Sequence, residues 1–241
     1  MVGTYYHASL MYDHENRWTG KKAMTPERFE KISTVLSRRQ MDLTVLMEHV
    51  STPHNLAAIA RTCDAVGIFE AHAVTDLQQI ELKQRAASGS RKWVQVRTYE
   101  SLEPAFAVLR QQNMQILCAH FDQNAVDFRD VDYTKPTAIV LGAELTGISD
   151  EALSKADGSI IVPMFGMIQS LNVSVASALI LYEAQRQRME AGLYDIRHMN
   201  DQTFENLLFE WGYPRLAPYY KKKKRVYPMM DVKGNIRYEH E

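Results

Sequence analysis

Five polar residues stand where their neighbours are small, apolar or glycine, and they are the first places to look for chemistry. Glu144 is bracketed by Gly142 and Gly147 in LGAELTGIS, which follows a β-branched run ending at Leu141. Ser170 and Asn172 open SLNVSVASA, where Ser174, Ala176, Ser177 and Ala178 keep a helix start small enough for something to pack closely there. Arg61 rises from HNLAAIARTCDAVGI on a face otherwise made of Ala57, Ala58 and Ala65, and Asn55 stands at the head of that segment. A cation, a carboxylate, a hydroxyl and two amides can orient a polar substrate and stabilise charge developing on it. Each also has an ordinary structural reading. Arg61 can pair with Asp64 one turn on, Glu144 can be a loop or capping carboxylate, and Asn55, Ser170 and Asn172 can cap helices. Spacing alone does not decide between the two readings.

The elements that must hold these residues are short strands alternating with helices. Leu43 to Met47, His72 to Val74, Gln115 to Ala119, Ala138 to Leu141 and Ser159 to Val162 read as strands. Between them, Leu56 to Val66 carries a buried stripe of Leu56, Ile59, Ala60, Cys63 and Val66, with Asn55 as its N-cap; Ser101 to Gln111 is a second helix and Leu171 to Arg188 a long one. This alternation predicts an α/β fold with a mainly parallel sheet and helices on both faces. Ligands of such sheets bind in loops at the strand ends. G-x-G-x-x-G and G-x-x-x-x-G-K are both absent, which argues against a dinucleotide or a triphosphate.

Outside that alternation the chain is more basic. Thr25-Pro26-Glu27-Arg28 is a helix start, and the stripe Phe29, Ile32, Val35 and Leu36 leaves Arg28, Lys31, Arg38 and Arg39 on the more exposed side. Lys83 to Trp93, KQRAASGSRKW, either touches phosphate or is a mobile polar loop. Phe204 to Trp211 is an apolar helix, followed by Tyr219 and Tyr220 and then five consecutive cations, Lys221 to Arg225; residues 226–241 are mixed and turn-like. Such a run suits an RNA backbone or is a solvated face. The 241 residues are 46% hydrophobic and 24% charged, the composition of a globule with a sizeable core. A net charge of −1 excludes a global pull toward nucleic acid, so any RNA contact must be local. Cys63 and Cys118 lie in apolar surroundings and read as reduced core residues, which suits the cytoplasm. No run has the length of a membrane span.

LGAELTGIS from Leu141, IVPMFGMIQSLNVSVASALILYEAQRQR from Ile161 and HNLAAIARTCDAVGI from His54 closely resemble the three motifs of the SpoU group of 2′-O-ribose RNA methyltransferases, in the SPOUT superfamily. Within that group RFEKISTVLSRRQMDLTVLMEHV and LLFEWGYPRLAPYYKKK are similar to the TrmH type, which methylates guanosine in the tRNA D-loop. The resemblance covers about Thr25 to the C-terminus. It implies S-adenosyl-L-methionine as cofactor, held by Ala119, Leu141, Gly142, Ile161, Val162, Met164 and Leu171. It implies a catalytic set of Arg61 with Asn55, Glu144, Ser170 and Asn172, and tRNA contacts from Arg28, Arg38, Arg39, Lys221, Lys222 and Lys223. A homodimer, no metal, and a trefoil knot over about residues 139–188 belong to the same expectation.

The implied organisation is an extension or expression remnant over 1–23, loosely ordered, an N-terminal RNA-binding helix over 24–45, a methyltransferase domain over 46–190 and a C-terminal RNA-binding extension over 191–241. Arg61 is the implied proton acceptor, yet a guanidinium with a pKa above about 12 is a poor base. The alternative is that it orients the hydroxyl and the adjacent phosphate. Methylation of ribosomal RNA or of the tRNA wobble ribose is the nearest rival function, and a non-catalytic RNA chaperone a more distant one. About 30 residues separate Met24 from Asn55, too few for the separate RNA-binding domain that ribosomal RNA relatives often carry there.

Overall fold

The computed structural model describes residues 24–75 and 93–237, which form two compact units, 24–37 with 199–237 and Arg38–His198. In chain order the elements are α1 (Pro26–Ser37), β1 (Leu43–Glu48), α2 (Pro53–Ala65), β2 (Glu70–Val74), β3 (Gln95–Tyr99), α3 (Leu102–Gln111), β4 (Gln115–Ala119) and β5 (Val126–Asp127). Then follow β6 (Thr137–Leu141), α4 (Asp150–Lys155), β7 (Gly158–Ile161), α5 (Val173–Glu190), α6 (Asp201–Gly212) and α7 (Ala217–Lys223).

The larger unit is a sheet of seven strands in the order β3-β2-β1-β6-β4-β7-β5, with every pair parallel. β1 and β6 lie in its middle and are buried along their whole length, as expected of strands covered by helices on both faces. Alternate side chains divide between the two faces. Val45, Met47, Ile139 and Leu141 meet Ile59 and Cys63 of α2 and Ile180, Leu181 and Ala184 of α5. Leu46, Ala138 and Val140 meet Phe106 and Leu109 of α3 and Ala152 of α4 on the other side. The predicted α/β architecture is therefore present.

Two features of α5 matter below. Its inner side buries Ser177, Ile180, Leu181, Ala184 and Arg188, while Val175, Leu179, Tyr182 and Met189 are exposed on the other, so from Val173 to Tyr182 the helix carries apolar side chains on both sides before Glu183, Arg186 and Glu190 make it charged. Helices of that kind are normally covered on both sides. At its end Arg188 is fully buried and donates to Gln40 Oε1 at 3.0 Å, Asp42 Oδ1 at 2.6 Å, and the carbonyls of Tyr133, Asp42 and Lys135 at 2.8, 3.3 and 3.0 Å. Every N–H of the guanidinium is thereby satisfied.

The structure corrects three expectations. Helix α2 begins at Pro53 with Thr52 as its N-cap, because proline's fixed φ suits the first helical position, and Asn55 lies inside the first turn. Arg39 is fully buried and is not a surface contact for RNA. α1 ends at Ser37, so the helical phase that would expose Arg39 does not reach it. Its guanidinium instead pairs with Asp64 Oδ1 at 2.6 Å and donates to the carbonyls of Ile68 at 3.0 Å and Trp93 at 3.1 Å. Asp64 is therefore the partner of Arg39, and not of Arg61. Residues 1–23 and all but Trp93 of the Lys83 to Trp93 stretch lie outside the described residues.

In the smaller unit α1 packs against α6, and the predicted cap is present: Thr25 Oγ1 accepts from Arg28 N at 3.3 Å. Arg28 Nη2 donates to the Trp211 carbonyl at 2.9 Å, near the end of α6 where free carbonyls favour a cation. Phe209 is fully buried, with ring centroids of Tyr213, Tyr220 and Tyr227 at 5.4, 5.6 and 4.6 Å. α7 ends in Lys221, Lys222 and Lys223, all exposed, at its negative pole.

Candidate active site

β6, β4 and β7 are neighbours in the sheet, and their C-terminal ends open onto one depression. β6 leads into a tight loop closed by two backbone bonds, Ala143 N to Gly147 O at 3.0 Å and Gly147 N to Ala143 O at 2.9 Å. Gly147 has φ of +71°, and a Cβ on Gly142 would lie 2.2 Å from the Gly147 carbonyl carbon, so both positions require glycine. The loop turns Glu144 toward the start of α2.

There the Glu144 carboxylate accepts four hydrogen bonds. Oε2 takes the Ser51 N–H and hydroxyl, each at 3.1 Å; Oε1 takes the Thr52 N–H at 3.0 Å and the Asn55 amide at 2.9 Å. The Thr52 side chain makes no capping bond, so Glu144 fills the role of the cap from another part of the chain. Burial pushes the carboxyl upward, but the bonds from Asn55, Ser51 and Thr52 outweigh it and hold Glu144 well below the usual carboxylate range. Glu144 is an anchored anion that fixes the β1–α2 loop, and it is a poor proton acceptor.

The depression consists of two adjoining hollows that share Ala119, His120, Phe121, Ser170, Leu171 and Ala176. The larger, about 550 Å³, lies between the Gly142 loop and the start of α5. The smaller, about 120 Å³, is walled by Ile161, Val162, Met164 and Ile180. All seven residues expected to hold the cofactor line one hollow or the other: Leu141 and Gly142 the larger, Ile161, Val162 and Met164 the smaller, Ala119 and Leu171 both. A site of this size, with apolar walls and polar groups in about equal share, suits a nucleoside-sized ligand.

The five expected catalytic residues are only partly gathered. Glu144, Ser170 and Asn172 line the larger hollow. Asn172 is also the N-cap of α5, its Oδ1 accepting from Ser174 N at 2.9 Å and from Ser174 Oγ at 2.6 Å. Asn55 is buried and reaches the site through Glu144. Arg61 is exposed, lines neither hollow and has no hydrogen bond or ion pair among the described residues. Of the expected RNA contacts, Arg38 is exposed in the larger unit and Arg28, Lys221, Lys222 and Lys223 in the smaller, where Lys221 pairs with Glu210 at 2.8 Å.

Two lining residues were not anticipated. Phe121 is 76% exposed at the mouth of both hollows. His120 has no side-chain hydrogen bond among the described residues. Its backbone N–H donates to the carbonyls of Cys118 at 2.9 Å and Ile160 at 3.1 Å, which holds it at the end of β4. Its place directly after a buried strand is the signal that sequence offered. No group of three or more His, Cys, Asp or Glu able to hold a metal exists among the described residues.

Comparison with known proteins gives a consistent result. The SpoU rRNA Methylase family matches residues 42–182, and the C-terminal family described as SpoU, rRNA methylase matches 186–239. A tRNA (guanosine(18)-2′-O)-methyltransferase of Escherichia coli K12 is 53% identical over 215 residues, 88% of this chain and 94% of the relative. Among solved structures, the TrmH/SpoU tRNA modifying enzyme of Aquifex aeolicus is 39% identical with a TM-score of 0.71, covering 78% of this chain and 96% of its own. An AdoMet-bound rRNA methyltransferase from Sinorhizobium meliloti is 28% identical with a TM-score of 0.54, covering 64% of this chain and 59% of its own.

Proposed function

The chain belongs to the SpoU methylase family, and from that premise we propose that it methylates the ribose 2′-oxygen of guanosine 18 in the tRNA D-loop, using S-adenosyl-L-methionine. The observation that carries the substrate is a likeness to the guanosine-18 enzyme that extends over 88% of this chain. The hollows fit the cofactor: Leu141, Ile161, Val162, Met164 and Leu171 offer apolar walls, and Gly142 and Ala119 leave backbone within reach of a ligand. When bound, the cofactor supplies a methyl group already activated by its sulfonium. The chain's own tasks are to orient the ribose, exclude water and move a proton.

Arg61 serves that purpose by orienting the hydroxyl and its neighbouring phosphate rather than by taking the proton. Because Arg61 lines neither hollow in a single chain, the site is completed in a homodimer. The exposed apolar side of α5, Val175, Leu179, Tyr182 and Met189, supports that reading, since water-facing stripes of this kind mark interfaces. Phosphates of tRNA are held by Arg28, Arg38, Lys221, Lys222 and Lys223, with Ser170 and Asn172 closer to the reacting groups. The trefoil knot over about residues 139–188 rests on family membership. No helix among the described residues is long and apolar enough to cross a membrane. A tRNA substrate supports a cytoplasmic location.

The test is methyl transfer from labelled cofactor to unmodified total tRNA and ribosomal RNA, with the product nucleoside mapped. Label on the ribose of guanosine 18 supports the proposal. Label in ribosomal RNA or on the wobble ribose keeps the chemistry and overturns the substrate. Cofactor binding without transfer to any RNA favours a chaperone. In the active protein, Arg61→Ala is expected to lower the rate about 10²- to 10³-fold with cofactor affinity unchanged.

A further inference from the structure

β1 and β6 lie side by side, Met47 level with Leu141, and each side sends a carboxylate to the loop that leaves the other. From the β6 side, Glu144 holds Ser51, Thr52 and Asn55. From the β1 side, Glu48 ends its strand only 2% exposed and accepts from Ser149 N at 3.0 Å and from the Ser149 hydroxyl at 2.5 Å. Ser149 stands just past Gly147, so the contacts close a ring that runs from Glu48 through Ser149 and Gly147 to Glu144, and through Ser51 back to β1. We propose that Glu48 is a positioning residue for the methyl transfer, locking the Gly142–Gly147 loop to the end of β1 and so fixing that wall of the larger hollow against α2, which carries Arg61; the inference rests on the methyl-transfer reading above.

Capping alone does not explain a carboxylate at this place. The Ser149 hydroxyl already accepts from Ala152 N at 3.1 Å, so α4 has its cap without Glu48. Taking a carboxylate out of water costs more than burying a neutral side chain, and among the described residues only Ser149 donates to this one. What the charge adds is direction, because charge-assisted bonds to both oxygens fix Ser149 in distance and in angle. The chain then leaves β1 through His49 at φ +51°, a conformation uncommon for a residue with a side chain, and soon reaches the Ser51 N–H that Glu144 holds. The end of β1, Ser51 and the start of α2 therefore move together. Glu48 lines neither hollow and acts only through these loops. Since Ala143 and Gly147 keep the Gly142 loop closed by its own backbone, freeing Glu48 lets the loop shift as a body against α2 without losing the shape of the cofactor wall.

The experiment is steady-state methylation of unmodified tRNA, with cofactor affinity measured by calorimetry, at a temperature where circular dichroism shows every variant folded. Glu48→Gln is expected to lower kcat about 10- to 100-fold, with KM for tRNA and cofactor affinity within about twofold of the wild type. Ser149→Ala removes one hydroxyl at an exposed position and should lose part of the same factor, which Ser149→Thr recovers by restoring the hydroxyl. That pair carries the test if Glu48→Gln does not fold. The double variant should lose less than the product of the separate losses, because both changes act on one contact. An active wild type beside a Glu48→Gln or Ser149→Ala protein that keeps kcat within about twofold overturns the assignment and leaves the proposed function standing. So does a cofactor affinity that falls in step with kcat, since Glu48 would then only shape the hollow. A wild type that binds cofactor and methylates no RNA overturns the proposed function and the assignment with it.

Discussion

Two loops leave neighbouring strand ends and enclose the same depression, and they are built in opposite ways. The loop from Gly142 to Gly147 is closed by its own backbone bonds and anchored by Glu144. The loop after β7, Pro163 to Gln169, has no hydrogen bond among the described residues. It carries Phe165 98%, Met167 99% and Ile168 62% exposed. Exposure alone is not the difference, because Leu145 at the tip of the first loop is 99% exposed. The difference is internal bonding. The first loop is organised before any ligand arrives, whereas the second presents apolar surface that stable isolated chains rarely leave in water.

If this contrast is correct, the first loop should tolerate change badly and the second well. Gly142→Val should have the largest effect, since its Cβ cannot share space with the Gly147 backbone. A loss of about 3 kcal/mol in urea unfolding is expected, together with loss of cofactor binding by calorimetry. Glu144→Ala should come next, costing about 1–2 kcal/mol as a removed cap and slowing methyl transfer by misplacing α2. Unchanged stability and rate in that variant would mean that the anchor is incidental. The anchor should also depend on pH. Its folded-state pKa lies below the ordinary 4.5, so its contribution is present above that value and disappears as pH falls through the lower folded pKa. The stability gap between wild type and Glu144→Gln should therefore narrow from about pH 6 to about pH 3. The smallest effect is expected from Phe165→Ser combined with Met167→Ser, below about 0.5 kcal/mol on unfolding. Association measured by sedimentation should weaken in that double variant; a large loss of stability would show that the second loop is packed like the first.

Much of this arrangement was legible in the sequence wherever burial repeats at a fixed period. The strands at Gln115–Ala119 and Thr137–Leu141, the helix after Ser101 and the long helix capped by Asn172 follow from apolar runs, stripes and caps. β3 did not follow, because Gln95, Arg97 and Thr98 face water at the sheet edge and supply no apolar alternation. α7 did not follow either, since its lysines say nothing about the tyrosines that pack against Phe209. Among the arginines, helix phase suggested that both Arg39 and Arg61 face outward. Phase predicts direction only inside a helix, and Arg39 lies past the end of α1. The pairing of Glu144 with Asn55 spans 89 positions, and no local rule reports such a contact. His120 was visible only as one histidine after a strand; that its hollow holds a single other ionisable group is a property of the fold.

Arg188 has a consequence of a different kind. The residues that bind its guanidinium are Gln40, Asp42, Tyr133 and Lys135, and two of them precede it by 148 and 146 positions. A buried cation is tolerated only once its partners are in place. The larger unit therefore cannot close on the ribosome while α5 is still being made, and its late step joins the two ends of the sequence that form it. Contacts of such long range slow folding, so the rate at which this unit is born is governed by its last helix.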